Sequence, residues 1–307
     1  MPLTRSDIPN LLLPGIKALF FETLSGLNYG SDWERLAMLV ESGKDQEKYA
    51  WLGSVPKMRE FVGERQINAM IESSYSIVNK TWESTLGIDR AAIEDDQYGQ
   101  IRIRVQSLAQ EAKRHVEELV FALLASGFSS SCFDGQYFFD TDHVTVGAEY
   151  QTAQSNKGTS ALSSAALQAA ITAMAKFKDD RGRPMGISAD TLAVPPDLEW
   201  TAREILESVY WPDSTGTTAY QKMPNNVLKG RLELVVSPYL ADTNDWFVLC
   251  TRGIIKPLIL QRRTPVEFES LESNTESGFM RDQFLYGVRS RYNAGFGMWQ
   301  FAYGSQV

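Results

Sequence analysis

The longest periodic stretch in the chain is Asp95-Asp96-Gln-Tyr-Gly-Gln-Ile101-Arg-Ile-Arg-Val105-Gln-Ser-Leu108-Ala-Gln-Glu-Ala112-Lys-Arg-His115-Val116-Glu-Glu-Leu119-Val-Phe-Ala-Leu123-Leu-Ala-Ser-Gly127. Ile101, Val105, Leu108, Ala112, Val116, Leu119 and Leu123 recur at spacings of four and three, which writes one apolar stripe along a helix. Asp95 and Asp96 stand where acidic side chains favour a helix N-terminus, and Gly127 stands where a C-cap glycine would. At 1.5 Å per residue such a helix runs roughly 40 Å, longer than most globular helices. His115 lies beside the stripe and reads as structural.

Upstream, residues 1–31 carry Pro2, Pro9 and Pro14, then Ile16, Leu19, Phe20 and Leu27 at helical spacing, closed by Gly26 and Gly30. Such a segment buries little alone and reads as an arm lying on something else. Residues 44–75 mix charge with aromatics and sustain neither period. Trp51 and Phe61 are costly to leave bare on a monomer, so an extended hairpin packed on a neighbouring subunit fits better than a solvated loop. Residues 76–93 read as a strand, with Ile77, Thr81, Leu86 and Ile88 among polar residues.

Downstream, Leu167, Ile171, Met174 and Phe177 give a helix over about 161–178, ended by Asp179-Asp180-Arg181-Gly182. A third helix is expected after Pro195-Pro196-Asp197, with Asp197 as N-cap and Leu198, Ala202, Ile205 and Val209 inside. Residues 210–226 read as an exposed loop. From residue 230 the pattern turns to strands: Leu232 to Val236, Trp246–Cys250, Ile254–Leu260 with Pro257 at an edge or bulge, and Pro265–Phe268. Phe284, Tyr286, Val288 and Tyr292 share one strand face, with Arg289 and Arg291 on the other. Trp299, Phe301 and Tyr303 alternate likewise. The total is α+β, without internal repeat or low-complexity tract.

Composition bounds the function. The 307 residues are 43% hydrophobic, and 30 basic against 38 acidic side chains leave a formal charge of −8. That is a globular chain without the positive field of a nucleic-acid reader. Two histidines and two cysteines build neither a His/Cys zinc cluster nor a disulfide framework. The longest uncharged apolar run near the start, Leu11-Leu12-Leu13, is broken by Pro14, so neither a secretory h-region nor a membrane span is expected there.

Enzymatic motifs are weak. His143, in Asp140-Thr141-Asp142-His143 with Cys132 eleven residues upstream, is the best candidate for a catalytic base or a metal ligand. No nucleophile-elbow glycine pattern accompanies it, and a turn whose aspartates cap backbone amides explains the same residues. Asp95-Asp96 are better read as helix-start residues than as paired acid/base carboxylates. Asn293-Ala294-Gly295-Phe296-Gly297 lacks a strand–loop–helix context for phosphate and reads as a hairpin turn. Arg262-Arg263 is too short for a nucleic-acid patch. No catalytic, cofactor or metal site is expected.

Several stretches, taken together and in order, resemble one family. They begin with Tyr49-Ala-Trp51-Leu52-Gly53, Pro56-Lys-Met58-Arg59-Glu60-Phe61 and Gly63-Glu-Arg65. Tyr75-Ser-Ile77-Val-Asn79-Lys80, Ile93-Glu94-Asp95-Asp96-Gln-Tyr-Gly99 and Leu119-Val-Phe121-Ala-Leu123-Leu124 with Gly127-Phe128 follow. Asp134-Gly135-Gln136-Tyr137-Phe138-Phe139-Asp140 then leads to Asp142-His143. The C-terminal half adds Leu234-Val-Val-Ser-Pro238, Ile255-Lys256-Pro257, Tyr286-Gly287-Val-Arg289 and Arg291-Tyr-Asn-Ala-Gly295-Phe296-Gly297. These resemble the Mu-like prophage major head subunit, the principal capsid protein of Mu-type tailed phages. The chain departs from that pattern at Phe61, where Trp is expected, at Val144, where Pro is expected, and in a more charged 113–118 stretch.

The resemblance implies the tailed-phage major capsid protein fold of the Hong Kong 97 type. Its parts would be an N-terminal arm (1–43), an E-loop (44–75), and a peripheral domain (76–155) with its spine helix at 96–126. An axial domain (156–255) would follow, then strands returning to the peripheral domain (256–307). The implied function is a non-enzymatic head protein that self-assembles into pentamers and hexamers around double-stranded DNA, without sequence-specific binding, cofactor or membrane. Its implied partners are copies of itself and the scaffold, protease, portal and decoration proteins of the head. Its implied place is the virion, after assembly in the bacterial cytoplasm. A shell around protein cargo, with the same fold, is the alternative. Trp51, Met58, Arg59 and Phe61 are the expected intersubunit contacts, since a thin hairpin has no core of its own and aromatic and Arg side chains anchor interfaces.

Overall fold

The computed structural model describes residues 8–27, 30–49, 75–89, 91, 98–144, 150–210, 225–271 and 283–307. The periodic stretch forms helix α3, Tyr98–Ser126, preceded by α1 (Ile8–Gly26) and the single turn α2 (Trp33–Leu36). Its N-terminal half buries Ile101, Val105, Leu108 and Ala109 against Ile16 and Phe20 of α1. The same apolar cluster takes in Ile88, Phe268, Phe284, Tyr286 and Val288 from the strands beneath.

Farther along, the buried set shifts to Val120, Phe121 and Leu124, while Val116, Leu119 and Leu123 are only half-buried. The expected stripe is therefore displaced by one residue in the second half, because that half faces a different core. A 3.6-residue helix rotates its stripe as it passes from one body to the next.

Four strands lie under the first half of α3, in the order β1 (Ala37–Glu41), β9 (Leu258–Leu271), β10 (Gln283–Phe296), β4 (Lys80–Asp89). β1 runs parallel to β9, and the other pairs are antiparallel. Along β10 the expected alternation holds: Phe284, Tyr286, Val288 and Tyr292 are buried. The β9–β10 register slips between Arg289 and Tyr292, opposite Arg262–Glu267. Pro265, which has no amide to donate, sits in that slip.

A second sheet has the order β5 (Lys157–Gly158), β11 (Ala302–Ser305), β8 (Trp246–Leu249), β6 (Thr191–Val194), β7 (Glu233–Val236). Every residue of β6 and β8 is buried. Leu167, Ala170 and Met174 of α4 (Ser164–Ala175) and Ala202, Ile205 and Leu206 of α5 (Glu199–Glu207) share their core. Residues 256–307 thus divide: β9 and β10 join the first sheet and β11 joins the second.

A two-stranded ribbon, β2 (Gln46–Lys48) with β3 (Ser76–Val78), closes the base of the 44–75 segment. The Tyr49 amide donates to the Tyr75 carbonyl at 2.9 Å, and the buried Tyr49 hydroxyl donates to Gln261 Oε1 at 2.7 Å.

Several local expectations change. α4 is shorter than 161–178 and is capped by Ser163, whose hydroxyl accepts from the Ala166 amide. Asp197 lies inside a 3₁₀ turn, Pro196–Leu198, and makes no cap; Val209 is outside α5 and exposed. Residues 254–257 form a turn before β9. Asn293–Phe296 continue β10 and make no hairpin, because Gly295 must pass under Ile77, where a Cβ would lie 2.5 Å from Cδ1.

Trp299–Phe301 form a 3₁₀ turn, so Trp299 does not alternate with Phe301 on a strand. Gly127 has no left-handed backbone. It is needed because a Cβ there would stand 2.8 Å from the Phe139 ring. Asp95 and Asp96, and residues 211–224 of the expected 210–226 loop, lie outside the described residues.

Candidate functional site: a buried polar cluster and the outward surfaces

The two candidate groups from the sequence, His143 and Cys132, do come together, and Asp134 joins them. After α3 the chain turns through Ser126–Ser130, and Cys132 to Asp140 fold back so that the Phe139 amide donates to the Gly127 carbonyl at 2.9 Å. This places Asp134 between the other two. Cys132 Sγ donates to Asp134 Oδ1 at 2.9 Å, and His143 Nδ1 meets Asp134 Oδ2 at 2.7 Å. The side chains of His143 and Asp134 have no exposed surface.

Asn156 settles the ring's orientation. Its Nδ2 reaches the carbonyls of Phe138, Trp299 and Ala302 at 2.8, 3.3 and 3.2 Å, so its Oδ1 is the acceptor facing His143 Nε2 at 3.0 Å. Both ring nitrogens face oxygen acceptors, and a proton lies between Nδ1 and the carboxylate. The ring is stacked on Trp299, with 4.0 Å between centroids.

Burial alone would raise the Asp134 carboxyl, but the hydrogen bonds from His143, Cys132 and the Gln136 amide hold it below its ordinary value. Burial, and then the Asp134 charge, push the Cys132 thiol up, away from the reactive thiolate.

Cys132, Asp134 and His143 offer ligand atoms within 4.8 Å of one another, the one such group among the described residues. Their 2.7 and 2.9 Å separations are hydrogen-bond distances. Atoms bound to one tetrahedral zinc stay about 3.3 Å or more apart, given ligand distances near 2.0–2.3 Å. The cluster is a closed hydrogen-bonded unit with no opening for substrate. It joins the end of α3, the start of β5 and the turn before β11.

No pattern in the sequence marks Asp134, Asn156 and Trp299 as site residues. The turn residues Asp134-Gly135 were the one visible signal, with Gly135 at φ +89°. Asp140 behaves as a turn residue should, its carboxylate accepting from the Thr141 and Tyr137 amides at 2.7 and 3.3 Å. His115 is structural: Nδ1 meets the Tyr292 hydroxyl at 2.7 Å and the ring lies 4.2 Å from that of Trp82. Arg262 and Arg263 face Glu41 and Asp45, at 2.6 and 3.4 Å.

Trp51, Met58, Arg59 and Phe61 lie outside the described residues. What the described residues supply is the β2–β3 ribbon that flanks them in sequence on either side. Asp45 grips it through Arg291 and Arg263 at 2.8 and 3.4 Å, and Asn79 Nδ2 donates to Ser42 Oγ and the Lys44 carbonyl at 3.1 and 2.9 Å. No helix among the described residues is long and apolar enough to cross a membrane.

The fold and sequence have known counterparts. A head subunit from a Mu-like prophage, FluMu of Haemophilus influenzae, is 31% identical over 275 residues, covering 89% of this chain. The major capsid protein of Escherichia phage Mu is 29% identical over 273 residues, also 89% of this chain. The chain spans 65% of the length of each of these relatives. A subunit of the procapsid of bacteriophage JBD30 superimposes with a TM-score of 0.63 at 28% identity, covering 99% of this chain and 76% of that one.

A virus-like particle from Pyrococcus furiosus shares the fold alone, with a TM-score of 0.53 at 10% identity over 95% of this chain and 98% of that one. These neighbours are phage and particle shells, and the fold is the α+β tailed-phage capsid fold of the Hong Kong 97 type. The family described as Mu-like prophage major head subunit gpT matches residues 10–165, 150–240 and 241–307, nearly end to end, and the chain belongs to that family.

Proposed function

We propose that this chain is a major head protein that self-assembles into pentamers and hexamers, which join into an icosahedral shell around phage DNA. One observation carries the reading: likeness to a procapsid subunit in both sequence and fold over 99% of the chain. A protein that must fit several ring environments needs a rigid core with adaptable projections. The two sheets supply the core, and the ribbon β2–β3 supplies the root of a projection.

On this reading 1–43 is the arm, 44–75 the E-loop, and 76–155 the peripheral domain built on α3. Residues 156–255 form the axial domain. Its work is assembly, without catalysis, in the virion and, during production, in the host cytoplasm. Scaffold, protease, portal and decoration proteins are its partners. Trp51, Met58, Arg59 and Phe61 anchor the E-loop on a neighbouring subunit.

Negative-stain electron microscopy of the purified chain, with and without the other head proteins, tests this. Uniform closed shells are the expected result, and a chain that stays monomeric in both samples overturns it. Trp51→Ala and Arg59→Glu should impair shell formation while leaving the monomer folded; normal shells from both remove those residues from the interface. Nucleic acid inside the shells separates a DNA container from a protein-cargo compartment.

A further inference from the structure

The His143 side chain has no exposed surface, and an oxygen acceptor stands at each of its nitrogens. Nδ1 meets Asp134 Oδ2 at 2.7 Å, and Nε2 meets Asn156 Oδ1 at 3.0 Å. A neutral imidazole has one N–H and can serve one of two acceptors. Its other nitrogen would then aim a lone pair at an oxygen lone pair.

The acceptors are fixed and cannot relieve this. Turning the Asn156 amide over would set Oδ1 against the carbonyls of Phe138, Trp299 and Ala302, which Nδ2 now serves. It would also set Nδ2 against the Asp140 amide, which donates to Oδ1 at 2.9 Å. Asp134 is held in the same way, since Cys132 Sγ and the Gln136 amide donate to its Oδ1 at 2.9 and 3.1 Å. Donors on both oxygens favour the charged form of a carboxylate.

The other neighbours suit a cation. The Trp299 indole lies flat on the ring, 4.0 Å between centroids, and presents its negative π face. From the loop after α3, the titratable groups beside the ring are Asp134 and the Cys132 thiol that donates to it. Asp140 commits its carboxylate to the Thr141 and Tyr137 amides, and Asp142 is exposed. Asn156, just before β5, and Trp299, before β11, are uncharged.

We infer that His143 carries both ring protons in the folded protein at neutral pH, and that the resulting imidazolium–carboxylate pair is a proton-operated clamp. The clamp ties the loop after α3 to the second sheet. When the Nε2 proton leaves, the ring and Asn156 Oδ1 repel each other. Asn156 relieves this by turning away from the carbonyls of the turn before β11, so base opens the junction at Asn156 while Asp134 keeps its Nδ1 donor. A histidine of the unfolded chain is mostly neutral above pH 7. Folding then takes up a proton at His143, and the clamp's stabilisation falls as pH rises.

Nitrogen-15 NMR of the full chain reads the protons directly, because protonated and unprotonated imidazole nitrogens differ widely in shift. The chain has two histidines, so His143→Gln removes one set of ring signals and His115→Gln the other, and either variant assigns them. At pH 7.5 both nitrogens of His143 should fall in the protonated range. An unprotonated nitrogen in that ring overturns the inference.

Hydrogen exchange tests the clamp itself. The Asn156 amide donates to the Asp140 carbonyl at 3.1 Å, and the Gly304 amide to the Asn156 carbonyl at 3.0 Å. As pH is raised until the Nε2 signal reaches the unprotonated range, protection at both amides should fall about tenfold beyond the intrinsic rate change, the worth of one net hydrogen bond. Amides paired between β4 and β10 should keep theirs. Unchanged protection at Asn156 and Gly304 after Nε2 has lost its proton overturns the clamp.

Discussion

The His143 ring lies flat on the Trp299 indole, 4.0 Å between centroids and 8° between planes, while its two nitrogens hold Asp134 and Asn156. The same Asn156 holds the Trp299 carbonyl, so the cluster clamps the turn before β11 to the loop after α3. Removing the ring takes the His143 Nδ1 hydrogen bond away from the buried Asp134 carboxylate. His143→Ala should cost about 1–3 kcal/mol of stability for the buried acceptor it leaves without its donor, besides the stacking lost on Trp299. Urea unfolding of the unassembled chain reads it. The variant should show no change in hydrolysis of ester substrates, because no substrate reaches a ring with no exposed surface.

Acid should weaken the fold through two carboxylates. Burial opposes their charge, but His143 for Asp134 and Arg183 for Asp179 hold each below its ordinary value through hydrogen bonds. Their stabilisation is therefore complete above the unfolded value, near pH 3.9, and is lost as pH falls through the lower folded value. Glu117 runs the other way: burial first, then the Asp32 charge, raise it. Its burden on the fold lightens as pH falls through its folded value. Thermal melts from pH 7 to 3 should show the acid loss. Asp179→Asn should flatten that limb, and Glu117→Gln should stabilise the chain at pH 7.

Two glycines should fail for different reasons. Gly127→Ala drives a Cβ to 2.8 Å from the Phe139 ring, an overpacking that costs about 1–3 kcal/mol. Gly135→Ala meets nothing within 4 Å but must hold φ +89°, costing about 1–2 kcal/mol. Phe139→Leu should lessen the first penalty and leave the second unchanged, which a double-mutant cycle would read as coupling at 127 alone.

Tyr49→Phe should leave Gln261 Oε1 buried without that donor, at a cost of about 1–3 kcal/mol. Hydrogen exchange should quicken at the Tyr49 amide and at the β2–β3 ribbon, where the 44–75 segment departs. Unchanged exchange there would show that Tyr49 does not anchor the ribbon.

Local periodicity by itself determined much. The spacing from Ile101 to Leu123 names a long helix, and the alternation from Phe284 to Tyr292 names a strand with one buried face. The ordered motifs from Tyr49 to Gly297 name a family and, with it, a fold. Each of these is a short-range or collinear property. What only the tertiary structure decided is what pairs with what across long stretches of chain. β1 lies beside β9, with Ala37 opposite Leu258, and β11 leaves β10 for the other sheet. Trp299 abandons strand alternation to stack on His143, and Gly127 and Gly295 are required by rings and side chains far away in sequence. Such positions answer to a neighbour's volume or acceptor oxygen, and neither leaves a period in the chain that meets it.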